Sequence, residues 1–349
     1  MTERLLFISG LSQSGTTLLL ALFDGHPDLA VYPDEPRFLR LYMRRAAYQS
    51  GAHLLLDSLI GTANPLSMPS ETPIKARKHM TQPAVAAADA EARLADLSDQ
   101  VETAARQVRL RGVDQAMAAE QQTTFLQRYF SAVLKAPRQD APDVSATMRL
   151  HLASAAKAMH GDADRSVLAF KDPFFDARDL QYLGGLLNET PGAISVFVKR
   201  SPLGQLNSML DVQKGLGRGY RLHQNPILHQ NPIRFLQLAR KNARDYAHYA
   251  KWRSALDRQI RYVEIAYEDL VVDTKGVMEN LCEQIGIAYS DHLLKPTKLG
   301  ASANPPSNRS AAAGEVSSKG VDKWRSGLSA AEKVIQRLFL RLYGVPAAG

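Results

Sequence analysis

The chain has 349 residues, of which 45% are hydrophobic and 22% are charged, as is typical of a globular protein with a full hydrophobic core. Its formal net charge of +8 suits an anionic ligand, but the 43 lysines and arginines are scattered and form no dense basic run. Because nucleic-acid-binding segments cluster their basic residues, we expect no nucleic-acid partner.

The first predicted element is an apolar run followed by a turn of small residues, "FISGLSQSGTTLLLALFDGHP" (7–27). The run Leu5–Ile8 predicts a buried strand, and a helix is predicted over 16–24. The spacing of Gly10 and Gly15 is that of a Walker A loop, yet Thr16 stands where that loop has lysine.

The turn nevertheless predicts an anion site, because backbone N–H groups and the positive end of a helix dipole meet there. Ser14, Thr16 and Thr17 add hydroxyl donors. Without the Walker lysine, the loop favours a single terminal phosphate and no bound Mg²⁺ or γ-phosphate.

Strand and helix patterns then alternate along the chain, which predicts a three-layer α/β fold with a parallel sheet, in a single domain spanning 1–349. Three more apolar runs read as buried strands: Val167–Phe170, Ile194–Val198 and Tyr262–Ile265. Helical patterns follow at 176–188, 202–213, 233–257 and 274–286.

The interval 40–165 shows no clear strand, and it predicts a large helical insertion or cap on the α/β core. Its segment "AVAAADAEARLADLSDQVETAARQV" is rich in alanine and strongly favours helix. The tandem repeat "LHQNPILHQNPI" (222–233) contains prolines that argue against a helix or central strand there. It predicts a duplicated surface loop, with a metal or substrate site as the alternative.

Two absences in the sequence bear on compartment. The apolar stretch Leu18–Phe23 is too short to cross a membrane and lacks a signal-cleavage pattern, so we expect no integral membrane segment. Cys282 is the only cysteine, which excludes an intramolecular disulfide. A reducing, cytoplasmic location is therefore expected.

A second predicted phosphate contact lies in "VFVKRSPLGQLNSML" (196–210). An apolar strand ends at Arg200, and Pro202 is well placed to begin a helix. Ser208 would then face back toward the strand end after about two helical turns. Arg200 and Ser208 could bind one phosphate from two sides.

Four segments together resemble the sulfotransferases that use 3′-phosphoadenosine 5′-phosphosulfate (PAPS). They are "SGTTLL" (14–19), the spacing of Arg200 and Ser208, "YEDLV" (267–271) and "SSKGVDKW" (317–324), which occur in the family's order. The resemblance implies a fold of the phosphate-loop sulfotransferase type, a PAPS co-substrate, the product 3′-phosphoadenosine 5′-phosphate and no metal.

The resemblance also implies roles for individual residues. The loop with Gln13, Ser14, Gly15, Thr16 and Thr17 would hold the 5′-phosphosulfate. Arg200 and Ser208 would hold the 3′-phosphate, Lys319 and Gly320 would close over it, and Tyr267 would support the nucleotide. The acceptor, a hydroxyl or amine of unidentified type, would bind in the interval 40–165, which lies outside the resemblance.

Gln13 departs from the family pattern, since related enzymes carry a lysine or arginine two positions before the loop glycine. Glutamine donates hydrogen bonds but neutralises no charge. In "LAFKDPFF" (168–175), Lys171 resembles a lysine that stabilises the transition state in protein-tyrosine sulfotransferases. Lys171 is therefore the candidate replacement cation, and a structural ion pair with Asp172 is the alternative.

The general base is expected in "DGHPDLAVYPDEPRF" (24–38), which resembles the tyrosine-enzyme segment that ends in a catalytic glutamate and an arginine. Glu35 and Arg37 match that pair if one residue is inserted. Asp34 matches without the insertion, and a distant histidine is the third possibility.

Two other function classes stay open at the level of sequence. "SVLAFKD" (166–172) could be a Walker B strand of a kinase or ATPase, although the Walker lysine is replaced by Thr16. A catalytically inactive nucleotide-binding protein is the other alternative, which Gln13 favours. A metal enzyme is disfavoured, because no His, Asp or Glu cluster has ligand spacing.

Overall fold

A computed structural model describes residues 4–61, 87–108, 119–161, 165–172, 174, 179–215, 231–256, 260–303 and 312–346. Within it, five strands form one parallel sheet in the order β2-β3-β1-β4-β5. The strands are β1 (Arg4–Gly10), β2 (Leu29–Val31), β3 (Val167–Lys171), β4 (Ile194–Lys199) and β5 (Arg261–Ala266).

Strands β1 to β4 are buried on both faces, which explains why β1, β3 and β4 read as continuous apolar runs, whereas the edge strand β5 is partly exposed. Successive residues of a strand point to opposite faces. Leu5 and Phe7 of β1 accordingly join one hydrophobic cluster, whereas Leu6 and Ile8 join another. The predicted three-layer α/β architecture is thereby confirmed.

The helices divide between the two faces. On one face lie α2 (Phe38–Met43), α3 (Gly51–Leu56), α4 (Ala90–Asp99), α5 (Val101–Gln107), α6 (Ala119–Lys135), α7 (Val144–His160) and α8 (Leu180–Asn188). On the other lie α1 (Thr16–Phe23), α11 (Tyr267–Val272) and α12 (Thr274–Ile285). A third cluster joins α9 (Pro202–Gly215), α10 (Pro232–Ala255) and α14 (Ala330–Leu342), which follows the short α13 (Lys323–Gly327).

All four predicted strands and the predicted helices are present, and β2 is an addition that the sequence did not reveal. β2 has only three residues and pairs along its whole length with β3, from Leu29 opposite Val167 to Val31 opposite Ala169. Its position matters for the site, because the segment that follows β2 contains Asp34 and Glu35 and emerges at the same sheet edge as the end of β3.

In the described parts of the interval 40–165, all regular structure is helical. Asp143 caps the start of α7 by accepting a hydrogen bond from the Ala146 amide. Leu94, Ala105 and Leu126 are fully buried in the hydrophobic cluster that also contains Leu5 and Phe7 of β1. That this interval binds the acceptor stays a prediction.

Two further findings concern expectations from the sequence. Of the repeat 222–233, residues 222–230 lie outside the described residues, whereas Asn231 caps α10 and Pro232 and Ile233 form its first turn, because proline is tolerated at the first helical position. No helix among the residues that are described has the length and apolar character needed to cross a membrane.

Candidate active site

The turn between β1 and α1, called the phosphate loop (residues 10–17), has the backbone that an anion site requires. Gln13 and Gly15 adopt positive φ angles of 69° and 105°. A side chain at Gly15 would lie 2.3 Å from the ring of Tyr267, so only glycine fits. No side chain caps the N-terminus of α1, which leaves its first amides directed at the loop.

Ser14 supplies a hydroxyl at the centre of this loop. The side chain is 1% exposed, and its Oγ forms no hydrogen bond within the described part of the chain. A buried hydroxyl without a partner costs free energy, unless a bound group supplies one. The loop therefore offers a free hydroxyl donor to an anion, and that this anion is a terminal phosphate stays a prediction.

Arg200 and Ser208 meet at Gln13 from the other side of the loop. Arg200 Nη1 donates a hydrogen bond to the Gln13 carbonyl oxygen over 3.3 Å, and Ser208 Oγ donates to Gln13 Oε1 over 3.4 Å. The guanidinium lies 4.4 Å above the Tyr267 ring. Its buried Nε forms no hydrogen bond among the described residues. These contacts give one cationic and one hydroxyl donor beside the loop.

Tyr267 supports both parts of this arrangement, since its fully buried ring packs against Gly15 and under Arg200. Ser318–Gly320 forms a 3₁₀ turn near the Tyr267 hydroxyl. Gly320 is buried in that turn, and Lys319 is exposed to solvent. Lys319 thus stands at the rim of the site.

Lys171 lies at the end of β3, where its register partner in β1 is Ile8, two residues before Gly10. Its Nζ donates hydrogen bonds to Thr17 Oγ1 over 2.7 Å and to Glu35 Oε1 over 2.6 Å. The lysine side chain is 5% exposed and that of Glu35 is 23% exposed. A buried cation therefore joins the phosphate loop to the candidate base, and its ion pair is with Glu35 rather than with Asp172.

Glu35 and Asp34 occupy different environments, which distinguishes the two candidate bases. Asp34 Oδ1 accepts a hydrogen bond from the Glu35 amide over 2.8 Å, and its Oδ2 lies 3.5 Å from Lys298 Nζ. Glu35 instead directs its carboxylate at Lys171. Arg37 is half-buried at the start of α2 and has a positive φ of 57°. Glu35 is the better placed of the two carboxylates to accept a proton beside the loop.

Asp172 is buried next to this pair but faces α2. Its Oδ2 accepts a hydrogen bond from the Leu39 amide over 2.8 Å. Burial raises the pKa of Asp172 to about 7; nearby Glu35 acts in the same direction, and the Leu39 hydrogen bond opposes it. The Asp172 carboxylate is thus engaged by the backbone of α2.

We expect Asp172→Asn to remove a pH dependence of stability. The native pKa of about 7 lies above the ordinary value near 4, so the native state binds more protons than the unfolded state between those values. The free energy of unfolding of the parent should therefore fall as pH rises through this window. As pH rises through this window, the free energy of unfolding of the variant should therefore increase relative to that of the parent by up to a few kcal/mol, at about 1.4 kcal/mol per pKa unit.

Chemical denaturation of both proteins from about pH 4 to 7 checks this expectation. Burial lowers the pKa of His151 to about 4, which makes stability fall on acidification, but both proteins share this group and its effect cancels in the difference. A difference in unfolding free energy that stays constant over the window would contradict the prediction.

A buried chain of amides, which the sequence did not reveal, also holds the phosphate loop. Gln205 Nε2 donates to the Ser12 carbonyl oxygen over 2.6 Å, and Asn242 Nδ2 donates to Gln205 Oε1 over 2.9 Å. Gln336 Nε2 in turn donates to Asn242 Oδ1 over 2.7 Å. The chain connects the loop to α9, α10 and α14, and only the folded structure brings these distant positions together.

Among the described residues, no group of three or more His, Cys, Asp or Glu side chains is arranged to hold a metal ion. Charged groups at the candidate site include the cations Lys171 and Arg200 and the carboxylate of Glu35.

Comparison with known proteins gives a family and a fold. The model of the sulfotransferase family matches residues 6–291. The sulfotransferase domain from the curacin biosynthetic pathway aligns with a TM-score of 0.51 and 15% identity, over 99% of both chains. The sulfotransferase domain of the Synechococcus PCC 7002 olefin synthase aligns with a TM-score of 0.50 and 18% identity, over 99% of this chain and 97% of its own. No curated protein sequence matches the chain.

Proposed function

Because the chain belongs to the sulfotransferase family, we propose that it transfers a sulfuryl group from PAPS to a hydroxyl or amine of an acceptor. The observation that carries this proposal is the position of Lys171, which hydrogen-bonds both Thr17 of the phosphate loop and Glu35. A cation, an anion site and a carboxylate are the three groups that transfer to a hydroxyl requires.

The donor nucleotide would be held at two separate places. The amides and hydroxyls of Ser14, Thr16 and Thr17 would hold its 5′-phosphate. Arg200 and Ser208 would hold its 3′-phosphate, with Lys319 moving in from the rim. The orphaned Ser14 Oγ and Arg200 Nε support this assignment, since each is a buried donor that an anionic oxygen would satisfy.

In the transfer, the bond between sulfur and the 5′-phosphate oxygen breaks, and a bond forms between sulfur and the acceptor oxygen or nitrogen. The acceptor proton passes to Glu35, and the electron pair of the broken bond stays on the phosphate. Lys171 would stabilise the negative charge that develops there. The Gln13 side chain is uncharged and contacts Ser208. We therefore assign the stabilisation of the leaving phosphate to Lys171.

The acceptor is proposed only by chemical class, as a hydroxyl or amine of a glycan, a lipid, a natural product or a peptide tyrosine. We propose that helices of the interval 40–165 contribute to its binding site, because the segment leading to Glu35 passes directly into α2 and the helical layer.

We also propose a cytoplasmic location. Cys282 is buried, and burial raises the pKa of its thiol to about 11, so it is an unreactive core residue.

The proposal is tested by incubating the purified protein and an extract of its host with PAPS that carries radioactive sulfur. A parallel reaction contains ATP labelled at the γ-phosphate, and Glu35→Gln is the control variant for both. We expect sulfur label to enter an acceptor with the parent and far less with the variant. Transfer of labelled phosphate would support the kinase alternative, and binding of the nucleotide without any transfer would indicate an inactive nucleotide-binding protein.

A further inference from the structure

A hairpin turn carries Lys298 to the edge of the sheet beside Glu35. Strands β6 (Thr297–Lys298) and β7 (Ala301–Ser302) are antiparallel, and Lys298 pairs with Ala301. Leu299 and Gly300, between them, have positive φ angles of 53° and 75°, which is the backbone of a type I′ turn. A leucine adopts this conformation at a cost of about 1 kcal/mol, so other contacts have to hold the turn.

Asp24, directly after α1, provides those contacts. Its Oδ2 accepts hydrogen bonds from Thr297 Oγ1 over 2.7 Å and from the Gly300 amide over 2.8 Å. The same hydroxyl also lies 2.9 Å from the backbone oxygen of Asp24, the alternative acceptor of its single proton. The hairpin is therefore fixed to the end of the same helix that begins at the phosphate loop, and Lys298 follows the anchored Thr297 directly.

From this fixed position, Lys298 contacts the segment that contains the candidate base. Its Nζ lies 3.5 Å from Asp34 Oδ2, while Asp34 Oδ1 accepts the hydrogen bond of the Glu35 amide. Glu35 Oε1 then reaches Lys171 over 2.6 Å. A series of two ion pairs, joined through the backbone amide of Glu35, thus leads from the hairpin to the phosphate loop.

The charges in this series are largely removed from solvent. The side chains of Lys298 and Asp34 are 16% and 12% exposed, so their attraction is screened less than that of a surface pair. Burial lowers the pKa of Lys298, Asp34 raises it, and the positive charge of Lys171 lowers it again. The two lysines are therefore close enough to interact, with Asp34 and Glu35 as their respective partners.

We infer that Lys298 is a positioning residue for Glu35: it fixes the Asp34 carboxylate, which holds the Glu35 backbone where the Glu35 side chain meets Lys171. This inference rests on the proposed function for its kinetic consequences, but the geometry it concerns is independent of the substrate. Removing the Lys298 charge should release Asp34 from the hairpin and allow the Glu35 carboxylate to move.

The test compares Lys298→Met and Lys298→Arg with the parent, and Lys295→Met is the matched control. Lys295 is exposed on the same segment, so its variant removes the same charge without touching Asp34. We expect Lys298→Met to lower kcat by roughly 10- to 100-fold, because a small displacement of a reacting group costs about that much. The KM for PAPS should change by less than about threefold, and Lys298→Arg should keep most of the parental kcat.

A purely structural role predicts a different pattern. It would lower the melting temperature of Lys298→Met and leave the kcat of the folded protein unchanged. Unchanged kcat in Lys298→Met, with an active parent, would therefore overturn the inference and leave the proposed function standing. Equal losses of kcat in Lys298→Met and Lys295→Met would overturn it too.

A crystal structure of Lys298→Met decides the geometry even if the parent transfers no sulfuryl group. We expect the distance from Glu35 Oε1 to Lys171 Nζ to exceed hydrogen-bonding range in the variant. If the variant keeps the parental 2.6 Å contact, Lys298 does not position Glu35. An inactive parent with a displaced Glu35 in the variant would contradict the proposed function alone.

Discussion

Replacing Lys171 by alanine should lower turnover by roughly 10²–10³-fold, the scale of removing one donor that stabilises transition-state charge. The phosphate loop has no cation at Gln13, and Lys171 is the buried cation beside Thr17. Negative charge grows on the leaving phosphate only as the sulfur bond breaks, so the loss should appear in kcat. Affinity for 3′-phosphoadenosine 5′-phosphate should change much less. Steady-state kinetics at saturating donor, with calorimetry for the product nucleotide, measure both quantities.

Lys199→Ala is the matched control for this experiment. Lys199 also lies at the end of a strand of the same sheet, β4, but its side chain is half exposed and pairs with Glu264 rather than with a residue of the loop. We expect its turnover to equal that of the parent. A kcat of Lys171→Ala close to the parental value would remove Lys171 from the mechanism and leave its ion pair with Glu35 a structural feature.

Replacing Arg200 by alanine should weaken binding of 3′-phosphoadenosine 5′-phosphate by roughly 2–4 kcal/mol, or about 30- to 1,000-fold. Arg200 is 7% exposed, and its guanidinium is fixed by the Tyr267 ring and the Gln13 carbonyl. A preorganised and buried cation loses little entropy on binding a phosphate. Calorimetric titration of the parent and the variant gives the difference directly.

Two comparisons separate phosphate binding from a loss of structure. Adenosine 5′-phosphate lacks the 3′-phosphate, so its affinity should be almost the same for parent and variant. Arg253→Ala removes an arginine stacked 4.6 Å above the ring of Tyr262, away from the loop, and should bind both nucleotides like the parent. If Arg200→Ala weakens both nucleotides equally, Arg200 maintains the loop and does not contact the 3′-phosphate.

The sequence predicted the parallel sheet because buried strands appear as uninterrupted apolar runs. β2 was not predicted in this way, because its three residues, Leu29–Val31, are too few to form an apolar run. They form a strand by pairing with β3. The phosphate loop was predictable for a local reason. Gly10 and Gly15 mark a tight turn, and the helix that follows begins immediately.

From the sequence, Lys171 could be predicted as a cation and Glu35 as a base, but the contact between them could not be predicted. They are 136 positions apart, and their 2.6 Å contact depends on β2 and β3 being neighbours. Nothing local indicates Lys298 either. It lies on a two-residue strand, and its importance follows from Asp24 and Asp34, which are more than 260 residues earlier. Such contacts depend on tertiary packing, which periodicity and spacing do not report.

We propose that the protein binds an adenosine nucleotide by its 5′- and 3′-phosphates at two separate places. Titration calorimetry with 3′-phosphoadenosine 5′-phosphate, its 2′-phosphate isomer and Mg-ATP tests this most directly. The isomer carries the same charge, so it controls for nonspecific attraction to a protein of net charge +8. We predict that the 3′-phosphate nucleotide binds at least about tenfold more tightly than the other two, which is a difference of about 1.4 kcal/mol. Equal affinity for the two isomers, or tighter binding of Mg-ATP, would contradict the claim.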